Sequence, residues 1–211
     1  MSMKISCIYF LSIFILAYSA LANSEQDEIA QVFQQYRSAL LNEDGKEALE
    51  LVDSQTIRYY DDVVKDALKI SRADLNRLDL YTKFMVLRLR HEFRKDQLEK
   101  MTGDSLFILS VKQGWVSKSE ASNNSKLVNI KYDRHLASAS LPQAPEITAF
   151  YFMKENGKWK LALWKNFELA NVAFSQMLQQ SSLAETEFLV RLLENISKYR
   201  VDENIFEAPL K

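Results

Sequence analysis

The stretch YFMKENGKWKLALW, residues 151–164, is the feature of this sequence that most restricts its fold. Two apolar arms rich in aromatic side chains meet at Asn156-Gly157, a pair that tolerates the positive φ angles of a tight hairpin turn. The arms are therefore expected to pair as antiparallel strands. The fold must contain a sheet that includes this hairpin.

Apolar residues at helical spacing predict helices in the amino-terminal half. Residues 25–41 form the first helix, with one buried stripe, and residues 46–52 a short second one. Ser71 and Asp74 resemble a capping box, in which side chains satisfy the free amides at a helix start. A long helix is expected to follow and to bury an apolar set: Leu75, Leu78, Met85, Val86, Leu89 and Phe93.

Strands are expected where the apolar period changes to two. Residues 106–116 and 127–135 are predicted as successive strands, and residues 56–60 as a brief additional strand. The segment ASASLPQAPE, residues 137–146, is predicted to be a loop. After Phe167 the helical pattern returns, so the chain as a whole is predicted to be α+β, with helices before and after the sheet.

The amino terminus is typical of a secretory signal peptide. Lys4 precedes an almost uninterrupted apolar run that extends to Tyr18, and the small residues Ala20 and Ala22 suit cleavage before Asn23. An apolar run of roughly 14 residues is short of the about 20 that a helix needs to span a bilayer. The mature chain is expected in the periplasm or outside the cell, with no stable membrane span.

Composition excludes several classes of function. Cleavage would remove Cys7, the only cysteine, and a chain without disulfides fits a bacterial periplasm. A formal net charge of −1 gives no basic surface for nucleic acid. Two histidines and four glycines leave neither a metal-ligand set nor a phosphate-binding loop. No metal or cofactor is therefore expected.

The order of elements resembles a known superfamily. Helices are followed by antiparallel strands and a last hairpin of the form F-x-x-x-x-G-x-W-K, which comprises Phe152, Gly157, Trp159 and Lys160. This pattern resembles the nuclear transport factor 2-like superfamily, the cone-shaped α+β fold that includes SnoaL-like cyclases and ketosteroid isomerases. The resemblance covers residues 25 to about 167, although the middle of the chain is more helical than the family usually shows.

The resemblance implies a strongly bent sheet that wraps over helices and closes a cone, whose mouth often admits a small apolar molecule. Alternation along the last strand places Trp159, Leu161 and Leu163 on one face, and Lys160, Ala162 and Trp164 on the other. The more apolar set is expected inside, together with Phe33 and Tyr36 of the first helix. These side chains either line a ligand pocket or fill a core, and close packing favours the core.

Three units are predicted along the chain: a signal peptide at residues 1–22, a cone-like domain at 23–167, and a helical extension at 168–211 that packs on the domain or on a partner. The favoured hypothesis is an exported, non-enzymatic module that binds a small apolar ligand or a protein partner, and a homodimer across the sheet is one form that such an interaction takes. A small isomerase, cyclase or dehydratase and a purely structural accessory domain are the alternatives.

Enzymes of the superfamily commonly move protons with a carboxylate, a histidine or tyrosines in the cone. The candidates here are Tyr59, Asp61, Asp62 and His135. A carboxylate inside an apolar cone would have its pKa raised by desolvation, and a tyrosine hydroxyl could stabilise a developing oxyanion. The same YYDD stretch is also typical of a helix cap, with Asp61 accepting from free amides.

Arg88, His91 and Arg94 lie near the end of the predicted long helix. They form a candidate anion site for a phosphate or carboxylate. Cations at a helix carboxyl end are also stabilised by the helix dipole alone, and Glu92 and Asp96 interrupt the patch. The dipole explanation is the favoured one.

The predicted signal peptide gives a direct test. Intact mass measurement of the exported protein should give a chain that begins at Asn23 and therefore lacks Cys7. A mass that includes residues 1–22 in the exported fraction would contradict cleavage at this position.

Overall fold

The computed structural model describes residues 25–116 and 126–207, and the predicted signal peptide lies outside them. Within these ranges the chain is α+β, as predicted, with helices before and after one antiparallel sheet. The described helices include none that is long and apolar enough to cross a membrane.

The helices and strands are named here in chain order. The first seven helices are α1 (25–41), α2 (Gly45–Glu50), α3 (Ser54–Lys69), α4 (Arg72–Leu75), α5 (Leu80–Glu92), α6 (Lys95–Leu98) and α7 (Gly103–Lys112). The strands are β1 (Val128–Tyr132), β2 (Leu136–Leu141), β3 (Ala144–Glu155) and β4 (Lys158–Leu161). After a short 3₁₀ turn (Leu163–Asn166) come α8 (Phe167–Ser181), α9 (Glu185–Ser197) and a last 3₁₀ turn (Glu203–Phe206).

The sheet is an open antiparallel meander in the order β1-β2-β3-β4. The predicted hairpin is confirmed: β3 and β4 pair across Asn156 and Gly157, whose φ angles are 50° and 80°. Val52 adds a single parallel bridge to Leu161 beside β4, so the loop after α2 forms a one-residue continuation of the sheet edge. The hairpin therefore also anchors the start of α3.

Two predicted strands are helices instead. Residues 56–60 lie in α3, where the Asp53 carboxylate accepts a hydrogen bond from the Thr56 amide at 3.0 Å and caps the helix. Residues 106–116 fall mostly in α7, which Thr102 caps by accepting from the Ser105 amide. Both segments are short and apolar, and period alone does not separate a buried strand from a buried helix.

The segment predicted as a loop, residues 137–146, is β2 and the start of β3. Its small side chains serve the close approach of neighbouring layers, since Ala137 and Ala139 are each 1 % exposed. The strand predicted at 127–135 is present but shorter, as β1. The long helix predicted after Ser71 is interrupted: Ser71 caps the four-residue α4, and Asp79 caps a new helix, α5.

The hairpin packs on α1 through a filled core. Trp159 is 2 % exposed, Leu161 is fully buried, and the Phe33 and Phe150 rings lie 4.7 Å apart between centroids. The predicted alternation fails after Leu161, because the strand ends there and Ala162 is buried while Leu163 is only half-buried. The side chains between α1 and the hairpin therefore fill a core and do not line a pocket.

Helix α5 runs through the middle of the helical layer. Nine of its 13 residues are buried, and they include three cations: Lys83, Arg88 and Arg90. A helix buried on all sides must find partners for such charges, because an unpaired buried charge is costly. The partners of these three cations organise much of the surrounding structure.

Arg90 binds two distant parts of the chain together. Its guanidinium donates five hydrogen bonds, to the backbone carbonyls of Asp66, Ala67, Ile70, Ile205 and Glu207. The first three belong to the carboxyl end of α3, and the other two to the carboxyl-terminal segment. Burial lowers the pKa of Arg90 to about 10, which still leaves it charged at neutral pH.

The carboxyl-terminal helices pack back on α5. Phe188, Leu189 and Leu193 of α9 are buried, and Lys83 of α5 forms an ion pair with Glu185 at the start of α9. Helix α8 also contacts α5, but none of its residues is fully buried. Its outer side leaves an apolar set exposed: Leu169, Val172 and Met177.

Replacing Arg90 by methionine should destabilise the protein by about 3 kcal/mol or more, because five backbone carbonyls, all buried or partly buried in these hydrogen bonds, lose their donor. Arg94→Met is the matched control, since Arg94 is exposed and pairs only with Asp96; it should change stability by less than about 0.5 kcal/mol. Urea unfolding of both variants measures the difference, and equal stabilities would contradict the role given to Arg90.

Candidate functional site

A cavity of about 550 Å³ lies between α3, α5, α7 and α8, and we call it the aromatic chamber. Most of its wall is apolar. The lining residues are Tyr60, Tyr81, Phe84, Met85, Arg88, Ser110, Gln113, Gly114, Trp115, Val116, Leu163, Asn166, Phe167, Phe174 and Ile196. Its volume lies within the range of pockets that hold small organic molecules, about 300–1,000 Å³.

Aromatic contacts hold the walls of the chamber in place. Phe167, at the start of α8, lies 4.2 Å from the Tyr59 ring and 5.8 Å from the Tyr81 ring between centroids. Two helical turns further along α8, the Phe174 ring lies 5.1 Å from the Phe84 ring of α5 between centroids. These rings fix the distance between α8 and α5, so that the space beside them remains open.

The tyrosines around the chamber are neutral hydrogen-bonding groups. Burial raises the pKa of Tyr81 to about 12 and raises the pKa values of Tyr59 and Tyr60 well above the usual range. A phenol with a raised pKa does not give up its proton near neutral pH. The chamber wall therefore offers hydroxyl groups but no phenolate base.

Arg88 is the one charged residue among the described residues that line the chamber. It is 9 % exposed, and its guanidinium carbon lies 3.7 Å from the centre of the Trp115 ring. Its Nε donates to Glu92 at 2.7 Å. The indole thus covers one face of the guanidinium and Glu92 occupies one of its edges, while the two terminal nitrogens donate no hydrogen bond to the described residues.

A second cavity of about 530 Å³ adjoins the chamber and shares four lining residues with it: Arg88, Gln113, Trp115 and Ile196. We call it the polar mouth. Its other walls come from His91, Glu92, Ser197 and Tyr199. The His91 Nε2 and Ser197 Oγ lie 2.9 Å apart and link α5 to the end of α9. Arg88 therefore lies where the apolar chamber meets a polar opening.

Asn166 adds one further polar atom to the chamber wall. Its Nδ2 donates to the Ala149 carbonyl at 2.9 Å, which fixes the orientation of the amide. The Oδ1 is buried and has no hydrogen-bond donor among the described residues. Buried polar atoms are normally paired, so this acceptor is an unusual feature of the wall.

The four catalytic candidates do not share one site. Asp61 accepts a hydrogen bond from the Gly103 amide at 2.6 Å, so it does cap a helix, but the helix is α7 and not its own. Tyr59 and Asp62 line a separate cleft of about 490 Å³ at the start of α5 and α8. Asp62 is exposed there and pairs with Lys65 at 2.9 Å.

His135 lies at the exposed turn between β1 and β2. The Asp133 carboxylate accepts hydrogen bonds from the His135 and Leu136 amides, at 2.8 and 2.9 Å, and thereby shapes the turn. These backbone hydrogen bonds lower the pKa of Asp133. Asp61 and His135 thus belong to different local structures: the Asp61 carboxylate caps α7, and His135 lies in a turn that the Asp133 carboxylate shapes.

Two of the three anion candidates come together. Arg88 and His91 both line the polar mouth, whereas Arg94 is exposed and pairs with Asp96 at 3.1 Å. The candidates for the cone interior divide as well. Phe33, Tyr36, Trp159 and Leu161 are buried in the core, while Leu163 lines the aromatic chamber.

Sequence reasoning missed most of the chamber. The sequence predicts a strand over residues 106–116, which include Trp115, and Phe167 marks only the point after which the helical pattern returns. The available signal was Arg88 within LYTKFMVLRLRHE, because an arginine surrounded by apolar residues on a helix indicates a charge taken into the interior.

Comparison with known proteins gives no match: neither a family model, nor a curated protein, nor a solved structure is similar to this chain. The superfamily resemblance therefore remains a prediction. No cluster of metal-ligating side chains is present among residues 25–116 and 126–207.

The buried tyrosines predict a pH dependence. Unfolded tyrosines ionise near pH 10, whereas Tyr81 holds its proton to about pH 12 in the folded state. This stabilisation should be complete below about pH 10 and lost as the pH rises towards 12. In a titration followed by phenolate absorbance, part of the absorbance of the folded protein should appear at a higher pH than in the urea-unfolded chain. Coincident titration curves in a still-folded protein would contradict the burial of these rings.

Proposed function

We propose that this protein is an exported, non-enzymatic binding protein that holds a small apolar molecule in the aromatic chamber. The observation that supports this proposal is a cavity of about 550 Å³ with mainly apolar and aromatic walls and a few polar groups. That combination is typical of sites for small organic ligands. Export is inferred from the signal-peptide pattern alone.

The chemistry of the wall favours binding over catalysis. The described lining residues include no carboxylate, histidine or cysteine. The phenols of Tyr60 and Tyr81 remain protonated, because burial raises their pKa values. A general base near neutral pH is therefore missing from the described wall, and such a base is what the isomerase or dehydratase alternative requires.

The chamber also differs in position from the pocket that the superfamily resemblance implies. Trp159, Phe33 and Leu161 fill the space between α1 and the sheet. The open volume lies on another side of the molecule, where α8 covers α5. The carboxyl-terminal helices would then be part of the binding site itself, since α8 and α9 contribute Phe174 and Ile196 to its wall.

A neutral fluorescent dye, N-phenylnaphthylamine, tests the proposal. We expect one dye molecule to bind per chain, with increased emission from the apolar chamber. Ile196→Trp should weaken binding by about tenfold or more, because Ile196 lies at the junction of the chamber and the mouth and is 43 % exposed, so that a larger side chain there blocks entry.

Leu169→Trp is the matched control. Leu169 is also exposed and apolar, but it is not a lining residue of the chamber. This variant should bind the dye as the unmodified protein does. Absence of saturable dye binding, or equal weakening by both substitutions, would contradict the proposed function.

A further inference from the structure

We propose that the molecule bound in the aromatic chamber is an apolar carboxylic acid, whose carboxylate pairs with the terminal nitrogens of Arg88. This inference rests on the proposed function, because it names the ligand class for the same chamber. It starts from a comparison of the three buried cations of α5.

The other two cations are satisfied by the protein. Lys83 pairs with Glu185 and also lies 3.5 Å from the Asn76 carbonyl. All three guanidinium nitrogens of Arg90 donate hydrogen bonds, to five backbone carbonyls in total. Buried charges are normally paired in this way. Two of the three cations of the helix therefore follow the rule.

Arg88 is different. It is buried at 9 % exposed, against 4 % for Lys83 and 6 % for Arg90, yet among the described residues only Glu92 accepts a hydrogen bond from its guanidinium, from the Nε–H. The two terminal nitrogens carry four further N–H donors. Their position at the junction of the chamber and the mouth makes them available to a molecule that enters the chamber.

The geometry of the guanidinium selects the ligand group. Trp115 covers one face, at 3.7 Å from ring centre to guanidinium carbon, and Glu92 occupies the edge at Nε. What remains is the in-plane edge formed by the two terminal nitrogens. A carboxylate fits such an edge with two parallel hydrogen bonds, which a hydroxyl or an amide does not match.

The local charge limits the ligand to a single negative charge. Arg88 supplies one positive charge, and Glu92 already compensates part of it. A doubly charged phosphate would be repelled by Glu92 without a second buried cation among the described lining residues. The aromatic walls require the rest of the molecule to be apolar. A monoanionic acid with an apolar or planar body satisfies both conditions.

The experiment compares two molecules of the same shape, naphthylacetate and its uncharged amide, as competitors of N-phenylnaphthylamine. We expect the acid to displace the dye at a concentration about tenfold or more below that of the amide. This ratio is the effect on affinity expected for one pair of charge-assisted hydrogen bonds. Arg88→Met should reduce this preference, taken as the ratio of the two competitor concentrations against the same dye, to about one. The exposed control, Arg94→Met, should leave the preference unchanged.

Glu92→Gln provides a second variant in case Arg88→Met does not fold. It removes the competing carboxylate, so the preference for the acid should increase. An acid that binds no better than the amide, or a preference that neither variant changes, overturns the carboxylate assignment and leaves the proposed function standing. Failure of the dye itself to bind overturns the proposed function, and the assignment with it.

Discussion

The burial of α5 is the constraint on which the other features depend. This helix places Lys83, Arg88 and Arg90 inside the protein, and each charge needs compensation there. Arg90 donates hydrogen bonds to both the end of α3 and the carboxyl-terminal segment, and Lys83 forms an ion pair with the start of α9. The carboxyl-terminal helices are therefore held by charge pairing as well as by their buried apolar residues.

The aromatic chamber follows from this arrangement. With α9 held by Lys83 and its own buried face, α8 contacts α5 through the rings of Phe167 and Phe174, and no residue of α8 is fully buried. The space that remains is lined by side chains from α3, α5 and α7 as well. Arg88 lines this space, and among the described residues only Glu92 accepts a hydrogen bond from its guanidinium, so the least fully paired of the three buried cations of α5 lies at the aromatic chamber.

Local signals in the sequence predicted the elements that local interactions determine. The Asn156-Gly157 turn identified the hairpin, and the stripe of α1 identified the first helix, because both patterns act over a few residues. The predictions for residues 106–116 and 137–146 were wrong. Helix capping at Thr102 makes the first segment helical, and the burial of small residues such as Ala137 accompanies strand structure in the second. Period and composition carry little of that information.

The candidate site was predictable only in part. Arg88 and His91 are anion candidates from the sequence, with Arg94, because they lie in a run of basic residues near the end of a predicted helix. The chamber beside them joins Tyr60, Trp115 and Phe174, which are far apart in sequence and meet only through the docking of α8. Asp61 and His135 matched an enzymatic pattern, but their surroundings are a helix cap and a surface turn. Tertiary contacts, and not residue type, distinguish the residues that line the chamber from those with a local structural role.

Native mass spectrometry of the protein purified from its own host tests the central claim most directly. The account predicts a native mass above that of the denatured chain by one small molecule, which is released on unfolding and detected as a singly charged organic acid. Native and denatured masses that agree, even after incubation with a soluble extract of the same host, would contradict it.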